Sequence, residues 1–179
     1  MADELPPLTL ILGGQRSGKS AYGERLMNID VYGGGVYLAT GHATDDEMAQ
    51  RIRTHQDRRG EGWVTVEERV DLVKALARAQ KLYADKPVLI DSLGMWVSNM
   101  LHEGRAPVVE AEHMAHAMLN HPAPVIAVSE EVGLGVIPMN AVARSFVDAL
   151  GIVNQITAAT ANRVVMVTAG LPHSLKDNA

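Results

Sequence analysis

Leu8-Thr9-Leu10-Ile11-Leu12-Gly13-Gly14-Gln15-Arg16-Ser17-Gly18-Lys19-Ser20 is the stretch that decides the fold. A largely apolar run without alternation, the mark of a strand buried on both faces, leads into a glycine-rich turn that ends in Lys-Ser. Gly13-x-x-x-x-Gly18-Lys19-Ser20 has the Walker A spacing between a strand and a helix. In such a loop Gly13, Gly14, Gln15, Arg16, Ser17 and Gly18 wrap their backbone N–H groups around phosphates. Lys19 reaches the β and γ oxygens, and the Ser20 hydroxyl ligates Mg²⁺. The helix that opens near Gly18 adds its positive end. A glycine turn that binds nothing is the plain alternative; the strand–loop–helix context and an acidic residue further on argue against it.

Similar aliphatic runs recur at Val36–Leu38, Val88–Ile90, Val125–Val128 and Val164–Val167, with longer polar or amphipathic stretches between them. Runs of this kind separated by helices predict a mostly parallel α/β sheet covered on both faces. Right-handed crossovers place the strand C-termini along one edge, where ligands of open α/β sheets bind. Small and polar residues follow each run there: Thr40-Gly41-His42, Asp91-Ser92, Ser129-Glu130-Glu131 and Thr168-Ala169-Gly170.

The 179 residues fit a single domain over 1–179. With one Phe, two Trp and four Tyr, the core must be aliphatic, filled out by nine Met. A net charge of −5 without a Lys/Arg cluster argues against nucleic-acid binding. The absence of cysteine excludes disulfides and thiolate chemistry. No apolar run reaches membrane-spanning length and the first residues do not resemble a secretory signal, so a cytoplasmic location is expected.

Asp91 ends Val88-Leu89-Ile90 as a Walker B carboxylate would, holding Mg²⁺ directly or through water. Asp91-Ser92-Leu93-Gly94 also has the form of a GTPase switch element, but no guanine-specifying N-K-x-D follows. Thr44-Asp45-Asp46-Glu47 is a capping box, predicting a helix from about Asp45. Met48, Ile52 and His55 then share one face. A histidine among apolar neighbours is ordinarily a core residue. Here Arg51, Arg58 and Arg59 surround it as a polyphosphate-binding group would, and neutral imidazole is a competent nucleophile toward phosphorus. The residues alone leave both readings open. The stretch from His102 to Pro124 is predicted as a surface helix with flanking loops, with His102, His113, His116 and His121 as solvated helix residues and not metal ligands.

Taken together, these elements resemble the bifunctional adenosylcobinamide kinase / adenosylcobinamide-phosphate guanylyltransferase family of cobalamin biosynthesis. The likeness runs from the Gly13–Ser20 loop through Tyr37-Leu38-Ala39-Thr40 and Asp46-Glu47-Met48 with Arg51-Ile52 and His55. It continues through Arg59, Trp63-Val64-Thr65-Val66-Glu67, Asp91-Ser92-Leu93 with Ser98-Asn99, Glu131 to Pro138, Arg144-Phe146, and Gly151 with Asn154-Gln155. H-x-x-x-R paired with W-x-T-x-E and then E-V-G-x-G-x-x-P is far more specific than the phosphate loop alone.

The resemblance implies a RecA-like P-loop fold and a two-step transferase with ATP and GTP as substrates and Mg²⁺ as cofactor. The hydroxyl of a corrinoid, adenosylcobinamide, is phosphorylated; GMP is then transferred from GTP to that phosphate, releasing pyrophosphate. A family histidine carries GMP covalently, and the motif puts it at His55, with Lys19 as its catalytic companion. Nucleotide contacts then fall to Gly13 to Ser20, Thr40, Gly41, His42, Arg59, Glu67 and Asp91, and the metal to Ser20 and Asp91. A homo-oligomer, a trimer with sites between subunits, is implied as well. Glu67 touches guanine or ribose or is an ordinary strand glutamate; Arg144 and Asn154 are substrate contacts or helix-surface residues. The chain departs from many relatives at Glu130, where they carry asparagine, at Gly60, where a proline often follows the arginine, and at Thr54, where some have a second histidine. An added carboxylate at 130 is placed to alter metal or substrate contacts. A kinase without guanylyl transfer and a non-covalent nucleotide switch are the alternatives.

Overall fold

A computed structural model describes residues 5–41, 50 and 60–178. Among the described residues seven strands form one sheet: β1 (Leu8–Gly13), β2 (Gly35–Ala39), β3 (Trp63–Glu67), β4 (Val88–Asp91), β5 (Val125–Glu130), β6 (Arg163–Thr168) and β7 (Leu171–Asp177). Their order is β3-β2-β4-β5-β1-β6-β7. All neighbouring pairs are parallel except β6 and β7, which form an antiparallel hairpin at one edge.

Alternation along each strand explains why the central strands are mostly aliphatic on both faces. Leu8, Leu10 and Leu12 of β1, Val88 and Ile90 of β4, and Val125 and Ala127 of β5 enter one core. Ile11, Leu89, Ile126 and Val128, the residues in between, enter a second core on the opposite face. A strand buried on both sides has no polar face to offer, so the sequence does not alternate. Each fully buried Leu or Ile contributes about 2 kcal/mol of transfer free energy.

The first core is roofed by α3 (Leu72–Leu82), α4 (Leu93–His102), α5 (Pro107–Leu119) and α6 (Ala141–Thr160), through residues such as Leu76, Trp96, Met114 and Val153. The indole of Trp96 is 1% exposed, and its Nε1–H donates to Val70 O at 2.8 Å, so burial strands no polar atom. Two helices, α1 (Lys19–Met27) and the one-turn α2 (Ile29–Tyr32), supply Tyr22, Leu26, Met27, Ile29 and Tyr32 to the second core. Arg105 ties the starts of α3 and α5 together, reaching Asp71 Oδ1 at 2.9 Å and Glu110 Oε2 at 2.7 Å. Hydrogen bonds from Lys74 and then Arg105 hold the Asp71 carboxyl below its ordinary range.

The five expected strands are present, and two more flank them. β3 pairs with β2 on one side, and β7 closes the other. The 102–124 region is more than a surface helix: α5 buries Ala111, Met114, Ala115 and Met118. His102, His113 and His116 are solvated as expected. His121 is not. It lies beyond α5, 8% exposed, with Nδ1 2.9 Å from Ala123 O, a buried turn residue bonded to its own loop.

Candidate nucleotide site at the strand tips

The phosphate loop leaves β1 at Gly13 and enters α1 at Lys19. Its curvature is held by Ser17 N–H donating to Gly14 O and by Gly170 N–H donating to Ser17 O at 2.8 Å. The turn after β6 is therefore a brace for the loop. Gly13 is obligatory in this packing: a Cβ there would collide with Ser17 Oγ and stand 2.7 Å from Val167 O. Gly18, with φ 94°, takes the left-handed conformation that launches α1 without a side-chain cap. The N–H groups of that first helical turn have no partner within the helix, which suits them to an anion.

Lys19 is buried to 6% exposure, its Nζ 3.3 Å from Gly14 O and 3.5 Å from Glu130 Oε1. Glu130 ends β5, in register with Gly13. Its second oxygen, Oε2, accepts from Ser92 Oγ at 2.9 Å. Ser92 begins α4 as its N-cap, accepting from Met95 N–H at 3.2 Å. It follows Asp91, whose Oδ2 accepts from Tyr37 O–H at 2.8 Å. The Tyr37 ring meets Trp63 edge-on at 6.2 Å, fixing the phenol that orients the Asp91 carboxylate.

Thr40, fully buried after β2, joins two strand tips. Its Oγ1 donates to Ser92 O and accepts from Ser92 N–H, both at 2.7 Å. Asn99 of α4 donates to Thr40 O at 2.8 Å and to Arg69 O at 3.1 Å. Thr40 is thus a clamp on the site's frame, its hydroxyl committed to backbone. Gly41 follows it. Glu67 ends β3 exposed, paired in register with Ala39, which pairs in turn with Asp91. Gly13 to Ser20, Thr40, Gly41, Glu67 and Asp91 therefore share one sheet edge, as the strand order requires. His42, His55, Arg59 and the capping box at Thr44 lie outside the described residues, as do Arg51 and Arg58.

Asn154 is not a helix-surface residue. It is 6% exposed in α6, accepts from Ser129 Oγ at 2.6 Å and donates to Glu130 O at 3.0 Å, bolting the tip of β5 to the helix. Arg144 stays exposed and caps the preceding turn, donating to Pro138 O and Met139 O. Sequence reading passed over Tyr37 and Ser92 as site residues and left Glu130 as a departure. Ser92 and Glu130 lie at or beside a strand tip, and that position was the available signal; Tyr37 sits in the middle of β2 and carries no such mark.

A hydroxyl at the start of α1 (Ser20) and a carboxylate at the end of β4 (Asp91) form the hard-oxygen donor set Mg²⁺ takes when phosphates and water complete its shell. The orientation of Asp91 by Tyr37 fits that use. Among the described residues no group of three or more His, Asp or Glu could hold a metal unaided. Nor is any of their helices long and apolar enough to cross a membrane.

Two solved structures share the fold. FlaH, a flagellar accessory protein of Methanocaldococcus jannaschii, superposes with a TM-score of 0.60 at 15% identity, covering 98% of this chain and 80% of that one. The KaiC-like protein PH0186 of Pyrococcus horikoshii gives 0.54 at 14% identity, covering 89% and 69%. The architecture is thus the RecA-like P-loop α/β fold. In sequence, the chain is 39% identical over 170 residues to the bifunctional adenosylcobalamin biosynthesis protein CobP of Pseudomonas aeruginosa, 93% of this chain and 96% of that protein. It is 34% identical over 184 residues to CobU of Escherichia coli, a protein of the same description, covering 94% and 99%. The family model for cobinamide kinase / cobinamide phosphate guanyltransferase matches residues 9–175. This chain belongs to that family.

Proposed function

We propose that this chain performs both reactions of its family in cobalamin biosynthesis. It phosphorylates the hydroxyl of adenosylcobinamide with a nucleoside triphosphate, then transfers GMP from GTP to the new phosphate. The observation that carries the reading is the edge where the Gly13–Ser20 loop, buried Lys19 and Tyr37-oriented Asp91 converge, in a chain matched by the family over nearly its whole length.

In the kinase step the substrate hydroxyl oxygen attacks the γ-phosphorus and gives up its proton to solvent, the bond to the β-phosphate oxygen breaks, and the nucleoside diphosphate leaves. Lys19 and the loop N–H groups hold the phosphates as charge shifts toward the leaving group. Mg²⁺ at Ser20 and Asp91 would supply further neutralisation. In the second reaction the His55 imidazole, in its neutral form, attacks the α-phosphorus of GTP, and pyrophosphate leaves as a phosphoramidate forms. The substrate phosphate then displaces the imidazole, giving adenosylcobinamide-GDP. Two displacements replace one difficult encounter between anions. Arg59 and His42 are assigned to the nucleotide phosphates and Glu67 to the guanosine.

We assign the protein to the cytoplasm, where its triphosphate substrates are made, as one P-loop domain acting in a homo-oligomer, a trimer. Support for association comes from the segment after β5. Leu134, Val136, Ile137, Met139 and Val142 are all exposed, Met139 at 98%, an apolar run that water alone would cover poorly.

The test is adduct formation from α-phosphate-labelled GTP. Wild type should retain acid-labile label on the protein and His55→Ala should retain none. Undiminished labelling of His55→Ala would remove the histidine from its role.

A further inference from the structure

The phosphate-loop lysine already has an anionic partner, and it comes from the chain itself. Glu130 Oε1 stands 3.5 Å from Lys19 Nζ in a contact whose side chains are 8% and 21% exposed for Lys19 and Glu130. Three features hold the carboxylate there. Ser92 Oγ donates to Oε2 at 2.9 Å. Gly94 leaves the space open, since a Cβ at that position would overlap Oε2 and sit 2.9 Å from Cδ. The Glu130 backbone is fixed by register with Gly13, by Glu131 N–H donating to Gly13 O at 3.0 Å, and by Asn154 Nδ2 donating to Glu130 O at 3.0 Å. The backbone cannot retreat, so only the side chain can yield.

We propose that Glu130 is a stand-in for nucleotide phosphate on Lys19, and that its displacement sets the affinity of the site for polyphosphate. The inference rests on the reading of Gly13 to Ser20 as the triphosphate cradle. A bound polyphosphate needs Lys19, and its negative charge repels a carboxylate on the same ammonium. Binding must break the Lys19–Glu130 contact and leave Glu130 against Ser92 alone. When phosphates begin to leave, the carboxylate retakes the lysine, so the competition acts chiefly on dissociation. A site that must release a diphosphate after one reaction and pyrophosphate after the other gains turnover from such a competitor. Where asparagine occupies this position, the site lacks the competing charge.

Equilibrium and stopped-flow binding of the Mg²⁺ complex of β,γ-imido GTP tests this in the full chain. Glu130→Gln should bind about 10-fold tighter, equivalent to about 1.4 kcal/mol, with most of the change in the dissociation rate. Gly94→Ala keeps the charge but evicts the carboxylate from its receptacle, and should also tighten binding, by about 3-fold, a gain that loss of structure would not produce. Magnesium tripolyphosphate, with no base or ribose, should show the same ordering and so place the effect at the phosphates. If Lys19→Ala abolishes binding while Glu130→Gln and Gly94→Ala bind no tighter than wild type, the stand-in role is overturned and the cradle survives. If Lys19→Ala binds as wild type does, the cradle reading itself falls.

Discussion

Replacing Asn154 with alanine removes two hydrogen bonds that join α6 to the tip of β5. The amide accepts from Ser129 Oγ at 2.6 Å and donates to Glu130 O at 3.0 Å. Ser129 is fully buried and Asn154 nearly so, so the abandoned hydroxyl has no solvent to turn to, and the half-buried Glu130 carbonyl loses its donor. A buried polar group stranded in this way costs about 1–3 kcal/mol, which puts Asn154→Ala at about 2–4 kcal/mol of lost stability. For a chain of this length that is a fall in Tm of about 5–15 °C. Urea denaturation followed by circular dichroism measures it. The mechanism makes a second demand. Ser129→Ala in the Asn154→Ala background removes the stranded hydroxyl, so the double variant should be at least about 1 kcal/mol more stable than the sum of the single losses implies. Additive losses, or a cost below about 0.5 kcal/mol for Asn154→Ala, would refute the bolt between α6 and β5.

Other consequences follow from single contacts. Gly13→Ala drives a Cβ toward Val167 O, 2.7 Å away, and should weaken nucleotide-analogue binding at least about 10-fold while costing about 1–3 kcal/mol of stability; titration calorimetry and thermal melts read the two effects. Tyr37→Phe keeps the edge-on contact with Trp63 but frees Asp91, and should raise the Mg²⁺ concentration needed for half-maximal kinase rate about 10-fold; an unchanged Mg²⁺ titration would show that Tyr37 does not orient a metal ligand. Asp71 has its carboxyl pKa depressed by Lys74 and Arg105, so it contributes stability above the ordinary carboxylate range that is lost as pH falls through its folded value. The stability gap between wild type and Asp71→Asn should therefore be present at pH 7 and narrow below about pH 4 in urea titrations; a gap that widens in acid has the wrong sign.

The buried middle of the sheet was legible because burial on both faces leaves an unmistakable mark. Leu8, Leu10 to Leu12 and Val125 to Val128 are apolar because helices cover both sides, with Thr9 the one polar residue buried among them. The edges carry no such mark. β7 reads Leu-Pro-His-Ser-Leu-Lys-Asp, and six of its seven residues are exposed, so pairing with β6 alone makes it a strand. The phosphate loop and Asp91 were legible from spacing, since Lys19 must sit beside its glycines in any sequence that builds the loop. Contacts between distant strand tips are a different matter. Glu130 and Lys19 are brought together by register between β5 and β1, and Ser129 meets Asn154 only through the packing of α6. His121 misled for a related reason: a polar residue after a helix is usually solvated, but this one turns inward, with Nδ1 bonded within its own turn and Nε2 buried without a partner among the described residues.

The most direct measurement of the central claim is product identification from purified protein incubated with adenosylcobinamide, ATP, GTP and Mg²⁺. Mass spectrometry should find adenosylcobinamide phosphate first and adenosylcobinamide-GDP after it, with pyrophosphate released in step with the second product, and neither product with Lys19→Ala. Hydrolysis of the triphosphates with no modified corrinoid would contradict the account, and phosphate ester without GDP conjugate would reduce the protein to a kinase.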